Sequence, residues 1–185
     1  MKIVAIIPAR AGSKRLKNKN VFKFLGKPLI RWTIDTALKS DYISYDNLYI
    51  STDCHFVKSY TRDCWIIDRP KHLAEDHVWT QPVINHATEQ IGDVADEDVV
   101  VILQANSPQM TPQIVDKCIN MLIDNDLWQV HTVDSDFINN GAVQVMRRKV
   151  FEHAGKANYN GVVVTDWVDI HTLEDVQKVA SIMEK

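Results

Sequence analysis

Apolar segments of two kinds alternate along the chain. Short continuous runs such as residues 99–103 (Val-Val-Val-Ile-Leu) have the length and residue types of buried parallel strands. Longer segments carry apolar residues at helical spacing, as in the stripe of Ile30, Ile34, Ala37 and Leu38. The patterns predict strands at 2–7, 48–51, 64–67, 99–104, 129–133, 142–146 and 161–165, and helices at 28–39, 80–91, 111–123 and from Thr172 onward. This alternation predicts an α/β fold, a three-layer α/β/α sandwich with a mostly parallel, Rossmann-like sheet.

The loop after the first predicted strand is basic and rich in small residues. It carries Arg10, Lys14, Arg15, Lys17 and Lys19, in a chain whose formal net charge is only -3. Open α/β sheets bind ligands at the carboxyl ends of their strands, and loop N–H groups with Lys and Arg side chains suit phosphate oxygens. The loop therefore predicts a polyphosphate site, and the alternative is a solvated basic loop with a glycine turn. The glycine spacings of a Walker A loop and of a dinucleotide fingerprint are both absent from the sequence.

Other polar groups also follow predicted strands. They are 51–53 (Ser-Thr-Asp), Arg69 with Pro70, 104–108 (Gln-Ala-Asn-Ser-Pro), and 169–172 (Asp-Ile-His-Thr) before the last helix. Each has a purely structural interpretation: Asp53 as a helix cap, Ser107 in a turn, and Asp169 as a surface carboxylate. The apolar neighbours of Asp169, Val168 and Ile170, predict that it lies at a strand end. Because the groups converge on one edge of the sheet, we expect a ligand site there.

The amino-acid composition and the charge exclude several classes of protein. Hydrophobic content of 45% and charged content of 24% are ordinary for a soluble globular protein, and the length predicts one domain over residues 1–185. A pI near 6.1 argues against a nucleic-acid partner. The first apolar run is broken by Pro8 and Arg10, so it is too short for a signal peptide or a membrane span. Three cysteines without metal-ligand spacing suit reduced thiols, which favours a cytoplasmic protein with no membrane partner.

Taken in order, these segments resemble the acylneuraminate cytidylyltransferase family, the CMP-sialic acid and CMP-KDO synthetases. The motifs that carry the resemblance are Ile-Pro-Ala-Arg-x-Gly-Ser-Lys at 7–14, Lys-Asn at 19–20, Gly-Lys-Pro-Leu at 26–29, Ile-Ser-Thr-Asp at 50–53, Arg-Pro at 69–70, Leu-Ala-x-Asp at 73–76, Leu-Gln-x-x-Ser-Pro at 103–108, Asn-Gly-Ala at 140–142 and Asp-Ile-x-Thr at 169–172. They are dense over 3–108 and thinner over 139–183. The resemblance implies the fold of the nucleotide-diphospho-sugar transferases.

The resemblance also implies an activity and a set of site residues. The activity is transfer of CMP from CTP to the anomeric hydroxyl of a 2-keto-3-deoxy sugar acid, of nonulosonate or octulosonate type, with release of pyrophosphate. The implied catalytic residues are Arg10, Lys19 and Asp169, and the implied substrate contacts are Ala9, Gly12, Ser13, Asn20, Arg69, Thr80, Gln104 and Asn140. Arg10 and Lys19 would hold phosphates, Arg69 and Thr80 the cytidine, and Gln104 the sugar. The expected cofactor is Mg²⁺, or Mn²⁺, on Asp169 and His171; the expected partners are CTP and a small sugar acid.

Two departures from the family pattern bear on these expectations. His171 stands where the family has a second Asp, and imidazole suits Mn²⁺, Zn²⁺ or Ni²⁺ better than Mg²⁺. The segment 134–139 is short where the family has an excursion with dimer contacts and sugar-binding residues, so a homo-oligomer is not expected to be the usual family dimer. Two other functions stay open. One is a sugar or polyol nucleotidyltransferase with another base or acceptor, and the other is a catalytically weakened nucleotide-binding module that acts through a partner.

Overall fold

A central β-sheet organises the protein, which the computed structural model describes over residues 1–151 and 159–184. In chain order the strands are β1 (Ile3–Pro8), β2 (Lys23–Phe24), β3 (Lys27–Pro28), β4 (Leu48–Thr52), β5 (Trp65–Asp68), β6 (Val99–Leu103), β7 (Gln129–Val133), β8 (Asn139–Arg147) and β9 (Asn160–Val164). The helices are α1 (Leu29–Ala37), α2 (His55–Tyr60), α3 (Thr80–Ile91), α4 (Pro112–Asp124) and α5 (Leu173–Met183). Most predicted elements are confirmed, with ends shifted by at most three residues.

The main sheet is mostly parallel, as predicted. Its order is β5-β4-β1-β6-β8-β7-β9, and β2 with β3 forms a separate short ribbon. All neighbouring pairs in the main sheet are parallel except those of β8, which runs antiparallel to β6 and β7. The beginning of β8 therefore lies at the same edge as the carboxyl ends of β1, β4, β5 and β6. The sequence pattern did not predict the reversed direction of β8.

Helices cover both faces of the sheet, which confirms the three-layer arrangement. Side chains alternate along β1, so that Ala5 and Ile7 enter a core with residues of α1 and α4, while Val4 and Ile6 enter a core with residues of α3. All five residues of β6 are buried, as expected for a strand covered on both faces. Within the described residues, no helix is long and apolar enough to cross a membrane.

A third, smaller core ties the basic loop to the end of the chain. Val179 of α5 packs with Leu16, Phe24, Leu29 and Ile170, all of them buried. The start of α5, predicted at Thr172, carries a capping box: Thr172 Oγ1 accepts a hydrogen bond from the Asp175 N–H at 3.2 Å, and Asp175 Oδ2 accepts one from the Thr172 N–H at 2.8 Å. The segment before this cap is thereby held against the loop that follows β1.

Two sequence-based interpretations were wrong. Asp169 is not at a strand end, because β9 ends at Val164. The segment that carries Asp169 is bonded instead to the loop that follows β6. There the Ile170 N–H donates to the Asn106 carbonyl oxygen at 2.9 Å. Asp53 is not a helix cap, because its Oδ1 accepts the Ala11 N–H at 2.9 Å across 42 positions. In both cases a contact that is distant in sequence takes precedence over the local pattern.

Candidate functional site

A cleft of about 170 Å³ opens where β1, β5 and β6 end. Its walls include most of the residues expected to bind substrate, namely Arg10, Ser13, Lys19, Asn20, Arg69, Thr80 and Gln104. These side chains come from the loops after three parallel strands and from the first turn of α3. The parallel arrangement explains their meeting, since it brings the carboxyl ends of distant strands to a single edge.

A second cavity of about 250 Å³ adjoins this cleft and is strongly basic. The two share Arg10, Ser13 and Lys19, and the second cavity adds Lys14, Arg15, Leu16, Asp76 and His171. One end of the combined site is therefore polar and lined by Thr80 and Gln104, and the other end is rich in cations. A molecule with an uncharged polar part and a polyanionic part would match both ends.

Arg10 and Lys14 are held by one carboxylate. Arg10 Nη1 lies 2.6 Å from Asp76 Oδ1 and also donates to the Ala74 carbonyl oxygen at 3.1 Å. Lys14 Nζ forms an ion pair with the other carboxylate oxygen, Asp76 Oδ2. Hydrogen bonds from Lys14 and Arg10 lower the pKa of Asp76 below its usual range, so this carboxylate is ionised at neutral pH.

Lys19 differs from these two cations because its charge is not paired. In the part of the chain that the structure describes, its ammonium group makes no hydrogen bond or close ion pair. Burial lowers the pKa of Lys19, and the nearby Arg15 and Arg10 lower it further, while Asp169 and Asp175 act in the opposite direction. A partly buried cation among other cations is stabilised by an anion in the site.

Arg69 is a buried cation with a fixed orientation. Its Nη2 donates to the Ser51 carbonyl oxygen at 2.8 Å, and its Nε donates to Ser51 Oγ at 3.3 Å. Burial lowers the pKa of Arg69 to about 10, with Arg10 adding to the effect and Asp53 opposing it. The guanidinium still carries its charge at neutral pH and lines the cleft in one orientation.

His171 lines the basic cavity, whereas Asp169 is not among the described lining residues of either cavity and lies near enough to Lys19 for their charges to interact. Asp169 Oδ1 accepts a hydrogen bond from the buried Ser107 hydroxyl, and burial raises the pKa of this carboxyl while Ser107 and Lys19 lower it. His171 Nδ1 lies 3.1 Å from Arg15 Nη2. Because a guanidinium only donates, Nδ1 is the acceptor nitrogen and Nε2 carries the proton. Burial, Lys19 and Arg15 lower the pKa of His171, which keeps the ring neutral.

The site suits a metal ion that would be coordinated jointly by a protein carboxylate and by phosphate oxygens of the substrate. Among residues 1–151 and 159–184 there is no group of three or more His, Cys, Asp or Glu side chains placed to hold a metal. Asp169 offers one carboxylate oxygen, Oδ2, that the Ser107 hydroxyl does not occupy. One carboxylate with substrate phosphates is a common arrangement for Mg²⁺. His171 would have to release Arg15 before Nδ1 could coordinate a metal.

The other expected contacts are placed differently. The Ala9 N–H donates to the Ser51 carbonyl oxygen at 2.9 Å, so Ala9 belongs to the wall behind the site. Gly12 lies in the exposed basic loop, where an added Cβ would be 3.8 Å from Arg10 Nη1. Asn140 is at the right edge of the sheet, but its amide is engaged: Oδ1 accepts from Thr132 Oγ1 at 2.6 Å and Nδ2 donates to Thr165 Oγ1 at 2.8 Å. Among the described lining residues of the two cavities, Asn140 does not appear.

Sequence reasoning missed two residues of the basic end. Asp76 was part of the Leu-Ala-x-Asp motif at 73–76, and Arg15 was counted only as loop charge. A carboxylate four residues before the predicted helix at 80–91 gives no local sign that it pairs with Arg10, because the contact spans 66 positions along the chain. The Arg15–His171 contact spans 156 positions and likewise has no local signature.

Comparison with known sequences is consistent with this geometry. The model of the cytidylyltransferase family matches residues 4–161. The N-acylneuraminate cytidylyltransferase of Escherichia coli O18:K1:H7 is 37% identical over 111 residues, which are 58% of this chain and 25% of that protein. The pseudaminic acid cytidylyltransferase of Campylobacter jejuni serotype O:2 is 33% identical over 130 residues, 68% of this chain and 55% of that protein.

Solved structures show the same fold. The CMP:2-keto-3-deoxy-manno-octonic acid synthetase, solved in complex with CTP, aligns with a TM-score of 0.79 at 16% identity over 100% of this chain and 99% of that one. Rv0371c of Mycobacterium tuberculosis H37Rv, solved in complex with manganese, aligns with a TM-score of 0.69 at 14% identity over 98% of this chain and 99% of that one. At these identities the likeness supports the fold.

The matches differ in extent. The chain spans between about a quarter and about half of the length of the two curated relatives described above. The family match, by contrast, covers most of the chain and includes the basic loop, the cleft residues up to Gln104 and the start of β8. On this match, the chain belongs to the cytidylyltransferase family.

Proposed function

We propose that this chain transfers CMP from CTP to the anomeric hydroxyl of a 2-keto-3-deoxy sugar acid, of nonulosonate or octulosonate type, and releases pyrophosphate. The observation that carries the proposal is the unpaired, partly buried ammonium of Lys19 beside Arg10 and Arg15, in a cleft at the carboxyl edge of the sheet. Relatives named for sialic and pseudaminic acids, and a structural neighbour named for a keto-deoxy-octonic acid, support a sugar-acid acceptor.

The two ends of the site divide the substrate between them. Arg69, oriented by Ser51, and Thr80 at the start of α3 would contact cytidine. Arg10 and Lys19 would hold the triphosphate at the basic end. Asn20 donates from Nδ2 to the Arg10 carbonyl oxygen at 2.9 Å, so it positions the loop that carries Arg10. Gln104, whose N–H is bonded to the Ala142 carbonyl oxygen at 3.0 Å, would turn its amide to the acceptor.

The reaction needs charge stabilisation more than covalent help. The anomeric oxygen attacks the α-phosphorus, the bond from that phosphorus to the bridging oxygen breaks, and the hydroxyl proton is balanced on the departing pyrophosphate. Negative charge grows on the leaving group in the transition state, and fixed cations nearby lower the barrier. Lys19 and Arg10, which line the cleft, would take this role.

A divalent cation would be held by Asp169 together with phosphate oxygens. When bound, such an ion neutralises phosphate charge and supports departure of the pyrophosphate. The manganese complex of a structural neighbour supports a divalent ion in this fold, and Mg²⁺ or Mn²⁺ both suit one carboxylate. A second ligand role for His171 stays a prediction, since it requires the ring to leave Arg15.

The direct test is pyrophosphate release with a panel of substrates. CTP, UTP, ATP and GTP would each be combined with sialic, pseudaminic and keto-deoxy-octonic acids and with simple polyol phosphates. We expect release only with CTP and a sugar acid. Release with another base or a polyol would identify a different sugar nucleotidyltransferase. CTP binding in calorimetry without turnover on any acceptor would identify a nucleotide-binding module instead.

Asp169→Asn is expected to lower turnover about 100-fold or more, since it removes the charge on the carboxylate proposed to hold a metal against the triphosphate. Initial rates of pyrophosphate release at saturating CTP would measure the loss. Asp166→Asn is the matched control, because Asp166 is an exposed carboxylate in the same segment. Full activity of Asp169→Asn would show that Asp169 does not hold the metal ion.

A further inference from the structure

Asp76 lies at the end of the site where the triphosphate is proposed to bind. Its two carboxylate oxygens face two different cations, Oδ1 toward Arg10 at 2.6 Å and Oδ2 toward Lys14. Arg10, Lys14 and Asp76 all line the same basic cavity. A carboxylate in contact with two cations by separate oxygens is placed as a phosphate group of a ligand would be.

We propose that Asp76 is an internal competitor for the triphosphate, which pairs with Arg10 and Lys14 in the free protein and is displaced when polyphosphate binds. The inference rests on the proposed function for the identity of the natural ligand. The chemistry is an exchange of ion pairs: two carboxylate contacts are lost and contacts with phosphate oxygens replace them. Asp76 would thereby set the affinity for nucleotide without touching the reacting atoms.

Displacement of Asp76 would also affect the nucleoside end. Arg10 also makes a second contact with the segment that contains Asp76: its Nη1 donates to the Ala74 carbonyl oxygen at 3.1 Å. This segment connects Arg69 after β5 with Thr80 at the start of α3, the two proposed cytidine contacts. Arrival of a phosphate at Arg10 would therefore release the middle of a segment whose two ends contact the nucleoside.

The groups around Asp76 keep it able to compete with the triphosphate for Arg10 and Lys14 at neutral pH. Hydrogen bonds from Lys14 and Arg10 lower the pKa of Asp76, so the carboxylate is ionised at neutral pH. The adjacent Glu75 also carries a carboxylate and lines the cleft, but its Oε2 lies 3.5 Å from His77 Nδ1 and makes no ion pair with Arg10 or Lys14 among the described residues. Glu75 therefore changes the charge near the site without occupying Arg10 or Lys14.

The test is calorimetric titration of the full chain with inorganic pyrophosphate, and separately with CTP, in metal-free buffer. Two surface ion pairs are broken on binding, so Asp76→Asn should tighten pyrophosphate binding about threefold to tenfold. Asp76→Ser should do the same, and Asp76→Glu, which keeps the charge, should bind pyrophosphate more weakly than Asp76→Asn. Glu75→Gln is the control for net charge and should tighten binding clearly less than Asp76→Asn.

The outcomes separate the competitor role from the proposed function. Unchanged or weaker pyrophosphate binding by both Asp76→Asn and Asp76→Ser would overturn the inference, as would equal tightening by Glu75→Gln. Absence of pyrophosphate binding by wild type and both variants would overturn it too. Tighter pyrophosphate binding by the Asp76 variants, in a protein that does not bind CTP, would support the inference while contradicting the proposed function.

Discussion

At the scale of single residues, Lys19 shows a conflict between stability and ligand binding. Its ammonium group is partly buried beside Arg15 and Arg10, and burial with these neighbours lowers its pKa. Between that lowered pKa and 10.5, the ordinary value, the unfolded chain binds more protons than the folded protein does. The free energy of unfolding therefore rises with pH in this window, because the folded state is relieved of an unfavourable charge.

Lys19→Met is expected to raise the free energy of unfolding at neutral pH and to weaken CTP binding about tenfold or more, since a charged contact to phosphate is lost. Chemical denaturation and calorimetry would measure the two effects on the same variant. The pH-dependent rise in stability described above should be smaller in Lys19→Met than in wild type. Lys17→Met, at an exposed position of the same loop, is the control and should change neither property much.

At the scale of elements, the start of α5 fixes the segment that carries Asp169 and His171. Asp175 Oδ2 accepts N–H groups from both Thr172 and His171, at 2.8 Å and 2.9 Å. Ile170, between the two site residues, is buried and bonded to the Asn106 carbonyl oxygen. The N-terminal cap of α5 therefore also fixes the backbone next to the basic cavity.

Thr172→Ala is expected to lower the free energy of unfolding by about 1 kcal/mol, because the Asp175 N–H loses its acceptor. Turnover should fall as well, since the segment before the cap loses one of its supports. Thr172→Ser keeps the hydroxyl and should retain most of the stability. Equal stability of Thr172→Ala and wild type in urea unfolding would show that the capping box contributes little here.

At the scale of the whole molecule, positive charge is concentrated in one cavity although the net charge is negative. The formal net charge is -3, yet Arg10, Lys14, Arg15 and Lys19 all line one basic cavity. A polyanion is attracted by this local field and not by the overall charge. Binding should therefore depend on salt although the protein as a whole is acidic.

Raising the salt from about 0.1 M to about 1 M shortens the screening length from about 10 Å to about 3 Å, and we expect the dissociation constant of CTP to rise about tenfold. Cytidine, which has no phosphates, is the control ligand and should bind with little change. Calorimetry at each salt concentration would measure both. A salt-independent affinity for CTP would place the triphosphate outside the basic cavity.

Much of the site could be predicted because its parts are local. The basic loop follows β1 directly, Gln104 follows β6 directly, and Arg69 follows β5 directly. Once the strands are parallel, these three positions must meet at one edge. Asn140 could not be assigned in this way, because Thr132 and Thr165 take up its amide and both belong to other segments.

The sequence by itself determined the succession of strands and helices, the location of the loops and the cap of α5, because periodicity and capping depend on neighbours within a few positions. Only the tertiary structure decided which charges are paired. Asp53 binds the Ala11 N–H, Asp76 pairs with Arg10 and Lys14, and Lys19 makes no hydrogen bond or close ion pair with any of the described residues. Ion pairing depends on distances of a few ångströms between residues far apart in the chain, and the fold alone sets those distances.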